Sequence, residues 1–160
     1  ILFRLIYGGG QETGLRSGRE ITLAIMQVGA AAKKKFAALA ADLERVRGYN
    51  GYFRENLDRE LFAVISAEDA SPYILSVSAR GLRGEVLLHM LDDEGVLVGT
   101  GSACSSKNRY SRVILACGAD EKTADGVLRI SFSRENTIAE CERAVRIINA
   151  CAKNLAERTK

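Results

Sequence analysis

LFAVIS at Leu61–Ser66 and YILSVS at Tyr73–Ser78 are two short runs rich in β-branched and aromatic residues, which favour β-strands. Between them, Glu68–Pro72 (EDASP) contains turn-forming residues and the single proline of the chain. A third run, VLRISF at Val127–Phe132, alternates between an apolar face and a face that carries Arg129. Together the three runs predict a small, mostly antiparallel sheet.

A long helix is predicted before this sheet, because apolar residues recur every three or four positions from Ile21 to Val46. The residues of this stripe are predicted to be buried; they are Ile21, Ile25, Val28, Ala32, Phe36, Leu39, Leu43 and Val46. The glycines at Gly48 and Gly51 weaken the pattern. The sequence leaves open whether this region is one kinked helix or two helices.

Two further helices lie between and after the strands. Gly84–Leu91 is apolar on nearly all sides and predicts a short buried helix, in which we interpret His89 as a core or surface residue. Thr137 and Glu140 are spaced as a capping box that opens a final helix. Its predicted buried stripe is Ile138, Cys141, Val145, Ile148 and Leu155. The predicted fold class is therefore α+β: a small, mostly antiparallel sheet with helices packed on one face, including the long N-terminal helix.

Composition excludes several classes of protein. The 160 residues, 47% hydrophobic and 27% charged, are typical of one globular domain. A net charge of +3 from 23 basic and 20 acidic residues is too balanced to indicate nucleic-acid binding. No run approaches the roughly 18 apolar residues of a membrane span. The four cysteines lack C-x-x-C spacing and the chain has one histidine, which argues against a zinc site and favours a reducing, cytoplasmic setting.

A loop of small residues surrounds one cysteine. Gly99–Lys107 (GTGSACSSK) follows Val96–Val98, an apolar run that predicts a short strand. The glycines and small residues free the backbone, so the loop can present the thiol of Cys104 to a reaction partner. From composition alone, an incidental cysteine in a polar loop stays equally open.

A second glycine-rich segment, Gly8–Gly18 (GGGQETGLRSG), precedes the long helix. Ser17 and Glu20 have the spacing of a capping box at the helix start, and Arg16 and Arg19 lie beside it. Free amides at a helix N-terminus and nearby arginines favour a bound anion. A purely structural loop is the alternative that the sequence leaves open.

Three blocks of the sequence have the order and spacing of the cysteine desulfurases: Gly8–Gly18, Gly101–Ser106 (GSACSS) and Leu128–Phe132 (LRISF). In these blocks the chain resembles that family of fold-type I pyridoxal phosphate enzymes, which belong to the class V aminotransferase superfamily. The resemblance covers essentially the whole chain and implies the C-terminal small domain of such an enzyme. It implies an interdomain segment at 1–19 that approaches the cofactor, and the small α+β domain at 20–160.

The resemblance also implies which residues act. Cys104 would attack the sulfur of L-cysteine, release L-alanine and hold a persulfide for transfer to an acceptor protein. Arg129 would bind the substrate carboxylate, a task that suits a planar guanidinium. Ser17, Gly18 and Arg19 would lie at the phosphate of pyridoxal 5'-phosphate. Arg19 stands where the family commonly has threonine, so the residue either contacts the phosphate as a cation or the contact is lost.

Some features of the family match nothing in the chain. They are the lysine that anchors the cofactor, the histidine that stacks on its ring and the aspartate under its nitrogen. Because the chain also opens at Ile1 within an apolar segment, we expect a piece of a longer polypeptide, inactive by itself. Ser76 stands where relatives often have asparagine, and no mechanism follows from that difference.

The resemblance implies partners as well. They are L-cysteine and a sulfur-acceptor protein, such as an iron–sulfur scaffold or a thiolation protein, in a cytoplasmic homodimer that binds neither nucleic acid nor membrane. Two alternatives stay open. One is another class V aminotransferase or lyase that needs no loop thiol, and the other is a docking module for sulfur transfer without its own catalysis.

Overall fold

The computed structural model describes residues 3–4, 6–100 and 110–159 of the chain. In this part, an antiparallel sheet is combined with helices, which confirms the predicted α+β fold. The elements in chain order are α1 (Thr22–Asn56), β1 (Phe62–Val64), β2 (Ile74–Ala79), α2 (Gly84–Asp93), α3 (Arg112–Ala116), α4 (Glu121–Asp125), β3 (Val127–Ser131) and α5 (Ile138–Thr159). None of the described helices has the length and apolar character needed to cross a membrane.

The sheet has the order β1-β2-β3, and both strand pairs are antiparallel. Ser76 of β2 lies opposite Arg129 of β3. The strand predicted at Val96–Val98 is wrong, because among the described residues this region pairs with β3 only at a single bridge from Gly99. Leu97 is 81% exposed. A run of apolar residues favours an extended backbone, but a strand also needs a partner along its whole length.

Residues 41–160 form one compact unit with a hydrophobic core. Leu75 and Val77 of β2 and Leu128 and Ile130 of β3 are all buried, and for β3 this is the apolar face that the alternation predicts. Side chains from three helices pack against this face; they include Val46, Phe53, Leu87, Leu91, Val145 and Ile148. On the opposite face, Arg129 of β3 is exposed, whereas the neighbouring pair of Ser78 and Val127 is buried. Arg129 therefore lies on an exposed part of that face.

The burial predicted for α5 is largely confirmed, whereas that predicted for α2 is wrong. On α5, Cys141, Val145 and Ile148 are buried as predicted, but Ile138 is 50% exposed and Leu155 is only partly buried. The predicted burial of α2 on nearly all sides is wrong, because Leu87 is buried whereas His89 is exposed. A helix that packs on one side of a sheet leaves its other side to the solvent, whatever its composition. Of the two interpretations given for His89, core or surface, the structure supports the surface one.

Residues 1–40 form the second compact unit.

The helix α1 runs without interruption through Gly48 and Gly51, so the region is one helix. The burial predicted for the first residues of the stripe is wrong, because Ile21 is 70% exposed and Phe36 is 74% exposed. Three further residues of the stripe are also exposed: Ile25, Val28 and Leu39. Periodicity identifies side chains that share a face, but burial also needs a surface that covers them. The domain boundary predicted after residue 19 stays a prediction.

Of the two predicted capping boxes, the one at α5 is confirmed and the one at α1 is wrong. At α5, the Thr137 amide donates to Glu140 Oε2 at 2.8 Å and the Glu140 amide donates to Thr137 Oγ1 at 3.3 Å, as the pattern predicts. The capping box at Ser17 and Glu20 is wrong, because α1 begins only at Thr22. The Ser17 hydroxyl instead binds within the glycine-rich loop.

Candidate functional site

Arg129 is paired on one side with Gly99. The Arg129 amide donates to the Gly99 carbonyl oxygen at 2.6 Å, and the Gly99 amide donates to the Arg129 carbonyl oxygen at 3.0 Å. Residues that exchange both bonds form a hydrogen-bonded antiparallel pair, whose side chains lie on the same face. The backbone of Arg129 is therefore held firmly, and its side chain stands on the exposed face of β3.

Ser76 is the neighbour of Arg129 on the other side. Both backbone groups of Arg129 are directed toward Gly99, so its pairing with Ser76 is of the non-hydrogen-bonded kind, in which side chains approach most closely. The Ser76 amide donates to Ser66 Oγ at 2.8 Å, on the side of β1. Arg129 thus lies in a row between a glycine and a serine, and the residue is exposed.

Sequence patterns did not identify these two neighbours. The alternation along β3 predicts the face on which Arg129 lies, and the structure confirms that face. Gly99 and Ser76 reach Arg129 from segments that are remote in the sequence, and the departure at Ser76 carried no mechanism. Only the register of the sheet could have identified these two neighbours, and the sequence of one strand does not determine the register.

The loop that follows β3 is fastened to α1. Arg134 Nη1 donates to Asp42 Oδ2 at 3.3 Å, and Tyr49 Oη donates to the carbonyl oxygen of Asn136 at 2.6 Å. The Asp42 carboxylate, followed by that of Glu135, raises the pKa of Arg134 above its ordinary value. These contacts fix the end of the strand that carries Arg129.

The glycine-rich segment is closed by Ser17, which is 8% exposed. Its hydroxyl donates to the Gly9 carbonyl oxygen at 2.7 Å, and its amide donates to the Ile6 carbonyl oxygen at 3.2 Å. Both donors of Ser17 are therefore used inside the loop. Gly18 follows with a φ of 147°, which side chains rarely permit and glycine adopts readily.

Arg19, which directly follows this segment, carries a group that can bind a phosphate. Its side chain is exposed and forms no hydrogen bond or ion pair within the part of the chain that the structure describes. A guanidinium and the exposed amide of Gly18 are suitable donors for a phosphate. Ser17 fits a different task, because its donors are engaged: it holds the loop in shape. Ser17, Gly18 and Arg19 lie in one compact unit and Arg129 lies in the other.

The candidate nucleophile, Cys104, lies in 101–109, outside the described residues. Of the described cysteines, Cys117 is exposed, whereas Cys141 and Cys151 are buried. Burial raises the pKa of the Cys141 thiol and that of the Cys151 thiol. Both therefore stay protonated near neutral pH and are unsuited to nucleophilic chemistry.

Comparisons with known proteins agree on one family. Residues 9–144 match the aminotransferase class V family. The chain is 34% identical over 155 residues to a NifS/IcsS protein homolog of Lactobacillus delbrueckii subsp. bulgaricus, covering 91% of this chain and 39% of that protein. It is 33% identical over 164 residues to the cysteine desulfurase IscS 1 of Archaeoglobus fulgidus, covering 94% of this chain and 40% of that protein.

Solved structures show the same likeness. A NifS-like protein matches with a TM-score of 0.80 and 28% identity, covering 96% of this chain and 39% of that chain. The NifS-like protein of Rickettsia africae ESF-5 matches with a TM-score of 0.78 and 23% identity, which shows the shared fold; the match covers 94% of this chain and 40% of that chain. The chain therefore spans about 40% of the length of the relatives that it matches.

Proposed function

The chain belongs to the class V aminotransferase family, and from this membership we propose that it serves as the C-terminal domain of a cysteine desulfurase. The relatives named as cysteine desulfurases support this reading, as the sequence blocks predicted. The observation that carries the proposal is the position of Arg129, which is exposed and lies between two small residues on a sheet whose other face is the core. The overall reaction takes sulfur from L-cysteine and leaves L-alanine.

Cys104 is the proposed sulfur acceptor. Its thiolate attacks the sulfur atom of L-cysteine, so an S–S bond forms while the C–S bond of the substrate breaks. The carbon released from sulfur takes a proton, and the balance is L-cysteine plus a thiol giving L-alanine plus a persulfide. The buried thiols of Cys141 and Cys151 do not compete, because burial raises the pKa of each.

Arg129 is the proposed binding group for the substrate carboxylate. A guanidinium can donate two parallel hydrogen bonds to a carboxylate, which fixes orientation as well as position. The paired backbone bonds to Gly99 support this role, because they hold the strand still while the side chain reaches the substrate.

Pyridoxal 5'-phosphate is the proposed cofactor, and class V aminotransferases use it in general. When bound, it supplies an electron sink that labilises bonds at the substrate amino acid. Arg19 and the Gly18 amide are the proposed phosphate contacts, and Ser17 contributes by holding the loop through Gly9. The charge of Arg19 would replace the hydroxyl that the family commonly places there.

The proposed partners follow from the persulfide. A sulfur atom bound to a protein thiol must pass to a second thiol or to a cluster scaffold, so we propose a sulfur-acceptor protein. A homodimer and a cytoplasmic setting complete the proposal. The unpaired thiols of Cys117, Cys141 and Cys151 fit a reducing compartment.

The test measures L-alanine production from L-cysteine by the longer protein that carries this chain, with pyridoxal 5'-phosphate and a thiol reductant. We expect Cys104→Ser to abolish turnover. Cys117→Ser is the matched control, because Cys117 is the exposed cysteine among the described residues and should leave turnover unchanged. Equal turnover in wild type and Cys104→Ser would show that the loop cysteine is incidental and favour another class V reaction.

A further inference from the structure

The backbone conformation at position 99 does not require a glycine. Its φ is not among the positive values of the chain, so other residues can adopt the same backbone. A Cβ atom at this position would lie 3.2 Å from Arg129 Nη2 and 3.6 Å from both Arg129 Cζ and Nε. The nearest atoms thus all belong to one guanidinium, which lies across the Cα atom of Gly99.

We propose that Gly99 is a positioning residue for Arg129, in that the missing side chain sets where the guanidinium lies. The inference deepens the proposed function and rests on the proposed binding of the substrate carboxylate by Arg129. A methyl group at 99 would contact Arg129 Nη2 at a distance shorter than most Cβ contacts in proteins. The guanidinium must therefore shift by a few tenths of an ångström. A bidentate contact to a carboxylate is sensitive to such a shift, because both N–H groups must stay in the carboxylate plane.

Two other crowded glycines, Gly84 at the start of α2 and Gly126 just before β3, differ from Gly99 in what they touch. A Cβ atom at Gly84 would lie 2.7 Å from the carbonyl oxygen of Val127, and one at Gly126 would meet the carbonyl oxygen of Ala79. Those glycines allow backbone segments to pack together. Gly99 faces the end of a flexible side chain, so Gly99→Ala changes the position of Arg129 without disturbing the fold. This difference allows a positioning role to be separated from a structural one.

Steady-state kinetics of the longer protein test the proposal. We expect Gly99→Ala to raise the KM for L-cysteine about tenfold while kcat changes less than about twofold, because binding of the carboxylate is weakened throughout the reaction. Gly99→Val should raise KM further. The matched control is Gly48→Ala, where a Cβ atom meets nothing within 4 Å, and its KM should equal that of wild type.

A second readout needs neither substrate nor cofactor. In the nitrogen–proton NMR spectrum of the longer protein, the Nε resonance of Arg129 is assigned by its loss in Arg129→Gln. We expect this resonance to move in Gly99→Ala and to stay in place in Gly48→Ala. An unmoved Arg129 resonance in Gly99→Ala, or a KM equal to that of Gly48→Ala, would overturn the positioning role.

The two proposals fail in different ways. If Arg129→Gln leaves the KM unchanged, the carboxylate-binding role of Arg129 is wrong and the consequence drawn for Gly99 falls with it. If Arg129→Gln raises the KM but Gly99→Ala does not, the function stands and only the positioning role of Gly99 is rejected.

Discussion

Arg134 and Asp42 form an ion pair that joins the loop after β3 to the helix α1, with 3.3 Å between Nη1 and Oδ2. Both side chains are largely shielded, at 26% and 10% exposure. Such a pair is screened less by solvent than one on the open surface. It holds the end of the strand that carries Arg129.

The first prediction concerns this pair. Asp42→Asn removes the charge with little change of shape and leaves Arg134 paired only with the exposed carboxylate of Glu135. We expect the midpoint of thermal unfolding to fall by a few degrees, measured by circular dichroism. The control is Glu44→Gln, because Glu44 pairs with Arg47 at 3.6 Å on the open surface, where an ion pair contributes little. An equal midpoint for both variants would contradict the stabilising role of the pair.

A second prediction compares two glycines under the same substitution. Gly126→Ala should lower the free energy of unfolding by about 1–3 kcal/mol, because the added methyl group overlaps the Ala79 backbone. Gly48→Ala should raise it by about 0.5–1 kcal/mol, because Gly48 lies inside α1 with open space around it. Urea denaturation of both variants gives the comparison. An unchanged or raised free energy of unfolding in Gly126→Ala would show that the crowding at Gly126 relaxes freely.

A third prediction concerns the capping box at the start of α5. The hydrogen bond from the Thr137 amide, the largest of several causes, lowers the pKa of Glu140 below its ordinary value. A carboxyl with a lowered pKa stabilises the folded chain above the ordinary pKa of glutamate, and this effect disappears as the pH falls through the lowered pKa. Glu140→Ala should therefore lower the unfolding midpoint near neutral pH and approach wild type in strong acid.

The matched control for this pH series is Glu142→Ala. Glu142 lies on the same helix and is exposed, but it takes no part in the capping hydrogen bonds. Its unfolding midpoint should follow wild type at every pH. A difference between Glu140→Ala and wild type that stays constant into strong acid would show that the charge of Glu140 is irrelevant.

A fourth prediction concerns the chemistry of Arg129. Arg129→Lys keeps the positive charge but replaces a planar fork by a single ammonium, so one of two parallel hydrogen bonds is lost. We expect the KM for L-cysteine to rise by about tenfold or more. Arg80→Lys is the control, because Arg80 is exposed just beyond the end of β2. An unchanged KM in Arg129→Lys would mean that charge alone suffices.

Local patterns predicted most of the elements in the unit of residues 41–160. The alternation of Leu128, Arg129 and Ile130 assigned the two faces of β3, and the Thr137–Glu140 spacing located the start of α5. Both succeed because the interacting groups are a few positions apart in the chain. Burial predicted from the same kind of pattern failed at Ile21 and Phe36, because what covers a helix face is not encoded in the period of that face.

The features of the candidate site also fall into two groups, those predicted from the sequence and those seen only in the tertiary structure. The sequence alone determined the types of chemistry present: a thiol at Cys104, a guanidinium on the polar face of a strand, and an arginine after a glycine-rich loop. Only the tertiary structure determined that Gly99 and Ser76 flank Arg129 and that Ser17 closes its own loop through Gly9. Composition and spacing specify side-chain chemistry and local conformation, whereas the neighbours of a side chain depend on hydrogen bonding between segments that are distant in the sequence.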